Sequence, residues 1–281
     1  MNRRQLKDYL QHYHPYVDYN PKWAEWYINV APLKTKRTIK ILKRYKGKNA
    51  RLLDCGCGIG LSLYYLSKFY INSIGIEIDK TSFKIAKDQF RKLKCKTTIK
   101  IYDGKHLPFP DNSFDIVTSM EVWEHAEDTR TMLKEINRVL KPDGILHITT
   151  ANKLWPIEPH YKLPFLSYLP YPLANLYVKI TNRAKYYHDI HLPTYGEFKK
   201  SVEEYFRVSD ITLEMLVSYK DLDLDKERGT KIILVAKILK ILEFLDKVPL
   251  LLLISRLSYY ILIRISLGWL FIAYPKKLQN N

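Results

Sequence analysis

Between residues 51 and 150, short apolar runs alternate with amphipathic stretches, and this alternation predicts strands and helices in turn. Residues 51–55 read as a buried strand, and 73–78, 97–102, 114–120 and 145–150 as further strands. Residues 61–69, 81–93 and 129–140 carry apolar positions at helical spacing, and Asp79 or Thr81 is available to cap the second of these helices. Lys141-Pro142-Asp143-Gly144 predicts a turn. Strands alternating with helices build right-handed crossovers, hence an α/β fold with a doubly wound, Rossmann-like and mostly parallel sheet. Upstream, residues 20–46 read as helix, with Trp23, Trp26 and Tyr27 on an early apolar face and Ile39, Ile41 and Leu42 on a later one. Downstream, residues 152–193 hold six prolines and many aromatics, cannot form one regular element, and read as a lid or binding loop. Residues 197–205 predict a helix, 206–216 contain a strand, and 269–274 close as the last strand.

Composition narrows the class. The chain has 281 residues and an apolar fraction of 47%, which excludes wholesale disorder and collagen-like repeats. Three cysteines do not make a disulfide scaffold. The opening residues lack the order of a signal peptide, so a cytoplasmic protein is expected. No uninterrupted apolar run reaches the roughly 18–20 residues a spanning helix needs. The net charge of +17 is uneven: it concentrates in residues 1–50 and 226–281, while the middle is nearly neutral. Basic flanks attract polyanions or an anionic membrane surface, although a lysine-rich chain also places Lys on solvated helix faces by default. The expected organisation is a basic helical segment over 1–50 and one domain over 51–281, with the lid at 152–193 and an apolar helical insertion at 226–267.

Chemistry enters where the first strand ends. Asp54-Cys55-Gly56-Cys57-Gly58-Ile59-Gly60 joins a strand to a helix, and ligands in open parallel sheets bind at such carboxyl ends. Glycines there let a ligand lie against bare backbone. Glu77 ends the second strand, where a carboxylate can accept both hydroxyls of a ribose. Asp103, followed by Gly104, ends the third, where a carboxylate can accept an adenine amino group. One glycine-rich loop and two acids on three consecutive strand ends describe an adenosine site without phosphate ligands. The Gly56-x-Gly58-x-Gly60 spacing also departs from the dinucleotide pattern.

Leu53-Asp-Cys-Gly-Cys-Gly-Ile-Gly60, Ile76-Glu-Ile-Asp79, Leu107-Pro-Phe-Pro-Asp-Asn-Ser-Phe-Asp115, Glu121-Val-Trp-Glu-His125 and Val139-Leu-Lys-Pro-Asp-Gly144 together resemble the class I S-adenosylmethionine-dependent methyltransferases. The resemblance spans about residues 50–215 and the last strand, and is closest to the small-molecule and quinone O-methyltransferases. It implies a seven-stranded sheet with an antiparallel last strand. It also implies S-adenosylmethionine near Asp54 and the loop glycines, its ribose on Glu77 and its adenine near Asp103. Cofactor contacts are therefore expected from Asp54, Gly56, Cys57, Gly58, Gly60, Glu77, Ile78, Asp103, Gly104 and Met120. Cys55 and Cys57 read as small packing residues, since two thiols are too few for a structural zinc site.

A sulfonium already carries an activated methyl group, so the protein must place a nucleophile in line with it and exclude water. A hydroxyl acceptor also needs a base. The catalytic candidates are His125, just past the fourth strand, and His160 in the lid, with His188 and His191 beside them. Glu121, Glu124 and His125 also have a spacing that could hold Mg²⁺ or a similar ion, and some related methyltransferases use a comparable cluster. The simpler reading assigns no resident metal and leaves the two glutamates to shape the crevice edge.

The expected acceptor is a small molecule, a glycan or a lipid-linked compound, methylated on oxygen. Residues 231–267 are apolar but punctuated by Lys237, Lys240, Lys247, Arg256 and Arg264, which suits peripheral contact with the inner face of a membrane or a packed helical pair equally. An RNA methyltransferase is the main alternative, motivated by the basic flanks and by Trp23 and Trp26. Against it, Met120-Glu-Val-Trp123 stands where an Asn-Pro-Pro-Tyr-type motif would be, so nucleic acid is the less favoured partner. A non-catalytic module that binds the cofactor is a third reading, and a dinucleotide oxidoreductase the remaining enzyme alternative.

Overall fold

The computed structural model describes residues 22–187, 190–228, 230–248 and 251–276. Helix α1 (Lys22–Leu42) leads into β1 (Arg51–Cys55), α2 (Leu61–Ser67), β2 (Asn72–Glu77), α3 (Lys80–Lys92) and β3 (Thr98–Ile101). Then come β4 (Phe114–Met120), a single 3-10 turn (Trp123–His125), α4 (Thr129–Val139) and β5 (Leu140–Ala151). Beyond the lid region lie α6 (Tyr195–Tyr205), β6 (Phe206–Asp210), α7 (Thr212–Val217), α8 (Leu224–Arg228), α9 (Thr230–Leu245), α10 (Leu252–Arg264) and β7 (Gly268–Pro275). The lid holds α5 (Tyr171–Ile180).

One seven-stranded sheet forms, in the order β3-β2-β1-β4-β5-β7-β6. Strands β1 to β5 pair in parallel, and β7 runs antiparallel to both β5 and β6. Neighbouring residues of each central strand are buried on opposite faces: Leu52 and Leu53, Ile116 and Val117, Ile145 and Leu146, Leu270 and Phe271. That pattern needs cover on both sides. Leu133 and Ile136 of α4 and Phe198 and Val202 of α6 cover one side. Ile41 and Leu42 of α1, Leu66 of α2 and Ile232 of α9 cover the other. The strand order reverses between β1 and β4, so the crevice of the fold opens at the carboxyl ends of those two strands.

Two elements depart from the sequence reading. The stretch 141–144 is no separate turn: it lies inside β5, whose pairing jumps from Leu140 to Ile145 while β4 advances only from Phe114 to Ile116. Pro142, which offers no N–H to a ladder, sits in this bulge. The strand expected within 206–216 is present as β6; it ends at Asp210, whose carboxylate accepts from the Thr212 amide (2.9 Å) at the start of α7. Helix α6 begins two residues early, behind a Thr194–Glu197 capping box. The lid is irregular as expected, with a bridge between Ile157 and Pro164 and a small core of its own around Tyr161, Leu166, Val178 and Tyr187. Among the described residues, no helix is long and apolar enough to cross a membrane.

Candidate functional site

The loop after β1 is shaped by its own main chain. The amides of Gly56 and Cys57 donate to the Ile76 carbonyl of β2 (3.1 and 2.9 Å), and Gly60 donates to the Cys57 carbonyl (2.9 Å). Gly56, Gly58 and Gly60 all have positive φ, at 73, 54 and 76°. Two of them serve different ends. A Cβ on Gly56 would lie 2.6 Å from Cγ2 of Val122, so close packing against the turn after β4 requires glycine. A Cβ on Gly58 would meet nothing within 4 Å, so here bare backbone faces open space in which a ligand can lie. Cys55 and Cys57 are buried packing residues, in the main core and against Leu63 and Phe90 respectively.

Glu77 ties the loop to β2. Its Oε2 accepts from the Gly58 amide (2.7 Å), and its Oε1 accepts from the amides of Ile78 and Asp79 (2.9 Å each). Asp79 in turn caps α3 through the Ser82 amide (2.6 Å). Asp103 is fixed the same way: its Oδ1 accepts from the amides of Lys105 and His106 (2.8 Å each), which holds its carboxyl below the usual range. Beside it, the exposed Ile78 and the Cβ-less face of Gly104 make an apolar shelf at the strand ends, suited to a flat base.

Asp54 is buried at the end of β1. Its Oδ1 accepts from the Thr118 hydroxyl (2.7 Å), while Oδ2 has no hydrogen-bond partner. Burial raises its pKa to about 7, against the Thr118 bond and with help from the Glu77 charge. A buried carboxyl with an orphaned oxygen, facing the glycine loop, fits a cationic ligand. Met120 is engaged elsewhere: its sulfur accepts from the Thr38 hydroxyl of α1 (3.5 Å), so its side chain packs toward that helix. Helix α1 also supplies a residue that the sequence did not flag. Tyr27 packs with Ile59 and Leu61, and burial together with the charges of Glu121, Asp54, Cys57 and Glu77 pushes its hydroxyl up to about 12.

Past β4 the structure gathers a second group. The ligand atoms of Glu124, His125 and His160 all lie within 4.8 Å of one another. Glu121 is left out: its side chain is 56% exposed and faces Lys34 at 3.8 Å. Glu124 is fully buried; its Oε2 accepts from the Thr150 hydroxyl (2.9 Å), and Oε1 is unpartnered. Burial and the Glu121 charge raise its pKa to about 7. The rings of His125 and His160 meet edge to face at 5.4 Å. His125 is exposed along one edge, while burial of the rest of its ring and the charge of His160 lower its pKa to about 4. His160 goes the other way. Burial opposes its charge, but the Glu158 carboxylate overcomes that, with Glu124 and Glu121 adding to it.

Glu158 escaped the sequence reading altogether. It is fully buried in the lid, with Oε1 on Nδ1 of His160 (2.7 Å) and Oε2 accepting from the Tyr161 amide (2.5 Å). A carboxylate two residues before a histidine, in a proline-rich stretch, leaves no periodic signal; only the folded turn brings them together. His191 contributes its backbone amide to the Glu124 carbonyl (3.0 Å), and His188 lies outside the described residues. The lid also reaches α1, with Lys162 5.8 Å from the Trp26 ring.

A doubly wound seven-stranded sheet with its seventh strand antiparallel, and a glycine-rich loop at the switch between β1 and β4, define the Rossmann-like methyltransferase fold. Residues 53–148 match the family described as a methyltransferase domain, and this part of the chain is a methyltransferase domain of the class I S-adenosylmethionine-dependent kind. It is 35% identical over 106 residues to a ubiquinone biosynthesis O-methyltransferase of Pelagibacter ubique, covering 38% of this chain and 44% of that protein. It is 40% identical over 106 residues to the chloroplastic tocopherol O-methyltransferase of Arabidopsis thaliana, covering 37% of this chain and 30% of that one. The chain thus spans less than half the length of these curated relatives. A crystal structure from Pyrococcus horikoshii covers 96% of this chain and 99% of its own, with a TM-score of 0.54 and 15% identity, a likeness of fold.

Proposed function

We propose that the chain transfers the methyl group of S-adenosylmethionine to a hydroxyl oxygen of a small, largely apolar acceptor. The observation that carries this is the Glu158–His160 pair, with Glu158 fully buried, standing beside His125 and Glu124 past β4. When bound, the sulfonium supplies an activated methyl group, which a nucleophilic oxygen takes while the sulfur keeps the bonding pair. The chain's own residues do the rest. Gly58 and Glu77 position the nucleoside, and the shelf of Ile78 and Gly104 receives its base. The Asp54 carboxylate offsets the ligand's positive charge. The lid, with Tyr161 and Leu166 in its core, excludes water from the acceptor side. Glu158 holds Nδ1 of His160, which leaves Nε2 to take the acceptor's proton as the new C–O bond forms.

The names of two relatives, a ubiquinone biosynthesis O-methyltransferase and a tocopherol O-methyltransferase, support an apolar hydroxylic acceptor over a glycan or an RNA. The test is labelled-methyl transfer from S-adenosylmethionine to separated quinol, lipid, glycan and RNA fractions. Label in the quinol or lipid fraction that His160→Gln reduces roughly a hundredfold supports the reading. Label confined to RNA overturns it.

A second reading is favoured by the unpartnered Oε1 of Glu124. One carboxylate and two imidazoles within 4.8 Å fit a divalent cation, and that donor set suits Mn²⁺ or Zn²⁺ better than Mg²⁺. Such an ion would bind the acceptor hydroxyl and lower its pKa. Calorimetric titration with Mn²⁺ and Zn²⁺, repeated on Glu124→Gln, decides it: uptake that disappears in the variant supports the site, and full activity after exhaustive chelation removes it.

A further inference from the structure

The hairpin formed by α9 and α10 is apolar on more sides than packing requires. In α9 the stripe Ile232, Ala236, Leu239 and Leu242 is buried. A second stripe, Leu234, Ile238, Ile241 and Phe244, recurs at steps of three and four on the opposite side and is 42–66% exposed. In α10, Leu253, Leu257, Tyr260 and Ile261 repeat the pattern at 47–78% exposure. Polar atoms meanwhile close the hairpin on itself. The Ser255 hydroxyl donates to the Leu242 carbonyl (3.0 Å), and the Tyr259 hydroxyl to the Leu239 carbonyl (3.4 Å). Singly exposed apolar residues need no explanation; two stripes on consecutive helices do.

Charge selects the occupant. Lys237, Lys240, Lys247 and Arg256 are exposed in these helices and their connection, against Glu243 and Asp246. A second copy of the chain would set this cationic face against itself, since a two-fold contact pairs a patch with its own image. Anionic phospholipid headgroups would instead be neutralised by it, while long Lys and Arg stems reach past the apolar stripe to the headgroup level. Neither helix is long enough to span, which leaves a position within the interface. The hairpin is also joined to the lid. The Asn152 amide at the lid's root donates to the carbonyls of Arg264 (2.7 Å) and Ser266 (2.6 Å), and the Arg264 guanidinium stacks on Tyr260 at 3.3 Å.

We infer that the α9–α10 hairpin is a docking surface for an anionic phospholipid bilayer, on which it lies without crossing. Binding to the bilayer does not depend on methyl transfer, so the inference can fail while the functional reading stands. The full chain is sedimented with vesicles of phosphatidylcholine alone and of phosphatidylcholine with roughly one third phosphatidylglycerol. Binding is expected to the mixed vesicles, weakening as salt is raised. The pair Leu253→Ser with Leu257→Ser, and separately Leu234→Ser with Phe244→Ser, each weaken it by about tenfold or more. All four side chains are exposed, so circular dichroism and S-adenosylmethionine uptake stay as in the parent chain. No binding to mixed vesicles at low salt overturns the inference, as does binding that neither pair weakens. A dimer in light scattering that the same pairs dissociate also overturns it, assigning the stripes to a second copy.

Discussion

Around the glycine loop, position is held by main-chain atoms. Ile76 receives two amides, Glu77 three and Asp103 two, and every one of these donors is a backbone N–H close to its acceptor in sequence or on the neighbouring strand. Around the lid, position is held by side chains that meet only in the folded chain. Glu158 meets His160, the Thr150 hydroxyl meets Glu124, and the Asn152 amide meets the end of α10. The first construction suits a ligand of fixed shape, because backbone geometry leaves little to vary. The second can change its acceptor by exchanging side chains without disturbing the sheet.

The largest effect expected from breaking that contrast comes from two glycines. Gly56→Ala forces a left-handed conformation and an overlap with Val122, together about 2–5 kcal/mol of stability. Gly58→Ala carries only the conformational cost, about 1–2 kcal/mol, yet its methyl fills the open cradle. Thermal melts and calorimetry on both should therefore diverge: Gly56→Ala loses mainly melting temperature, Gly58→Ala mainly S-adenosylmethionine affinity. Equal loss of both in the two variants would show that the cradle is not where the ligand lies.

Glu77→Gln comes next. The amide still accepts, but it brings an N–H toward backbone donors and removes the charge that three amides and a ribose would share. Charge-assisted bonds of this kind are worth about 1.5–3 kcal/mol, so the dissociation constant for S-adenosylmethionine should rise roughly 10- to 100-fold. Glu158→Gln makes the opposite probe. On the lid side it should leave that dissociation constant unchanged while kcat falls roughly 10- to 100-fold, through loss of the His160 tautomer. A fall in cofactor affinity instead would place the lid in the nucleoside site.

These contrasts follow what the sequence could carry. The five parallel strands and the loop after β1 were legible because each is written within a few consecutive residues: an apolar run, then a turn of glycines or polar residues. The 141–144 bulge was misread because Pro-Asp-Gly composition is the same for a turn and for an irregular strand; pairing with β4 decides between them. The strand expected within 206–216 is β6, and its end is marked by the Asp210 carboxylate accepting from the Thr212 amide. Tyr27 gave no signal because it meets the strand ends across the fold, and Glu158 because only the folded lid turn sets it on His160. At Met120 the strand-end position was legible, while the contact of its sulfur with the Thr38 hydroxyl of α1 was not.

Asp54 offers a smaller, pH-dependent test. Its carboxyl keeps a proton up to about pH 7 in the ligand-free protein, and a cationic ligand favours the carboxylate. The proton must then leave on binding, so affinity should fall by up to about tenfold per pH unit below pH 7 and level off above it. Calorimetry in buffers of different ionisation enthalpy should show the released proton, and Asp54→Asn should abolish it. A release that survives in the variant would assign the titration to another group.

The smallest expected effect lies where the lid returns to the sheet. Thr194 caps α6: its hydroxyl accepts from the Glu197 amide, and the Glu197 carboxylate accepts from the Thr194 amide at 2.7 Å. Removing the hydroxyl in Thr194→Ala should cost about 1 kcal/mol, lowering the melting temperature by roughly 2–4 °C. The cap sits on neither the glycine loop nor the Glu158–His160 pair, so S-adenosylmethionine affinity should not move. A kcat that falls while that affinity holds would mean that the lid's far anchorage, and not only its Glu158 turn, sets the acceptor's geometry.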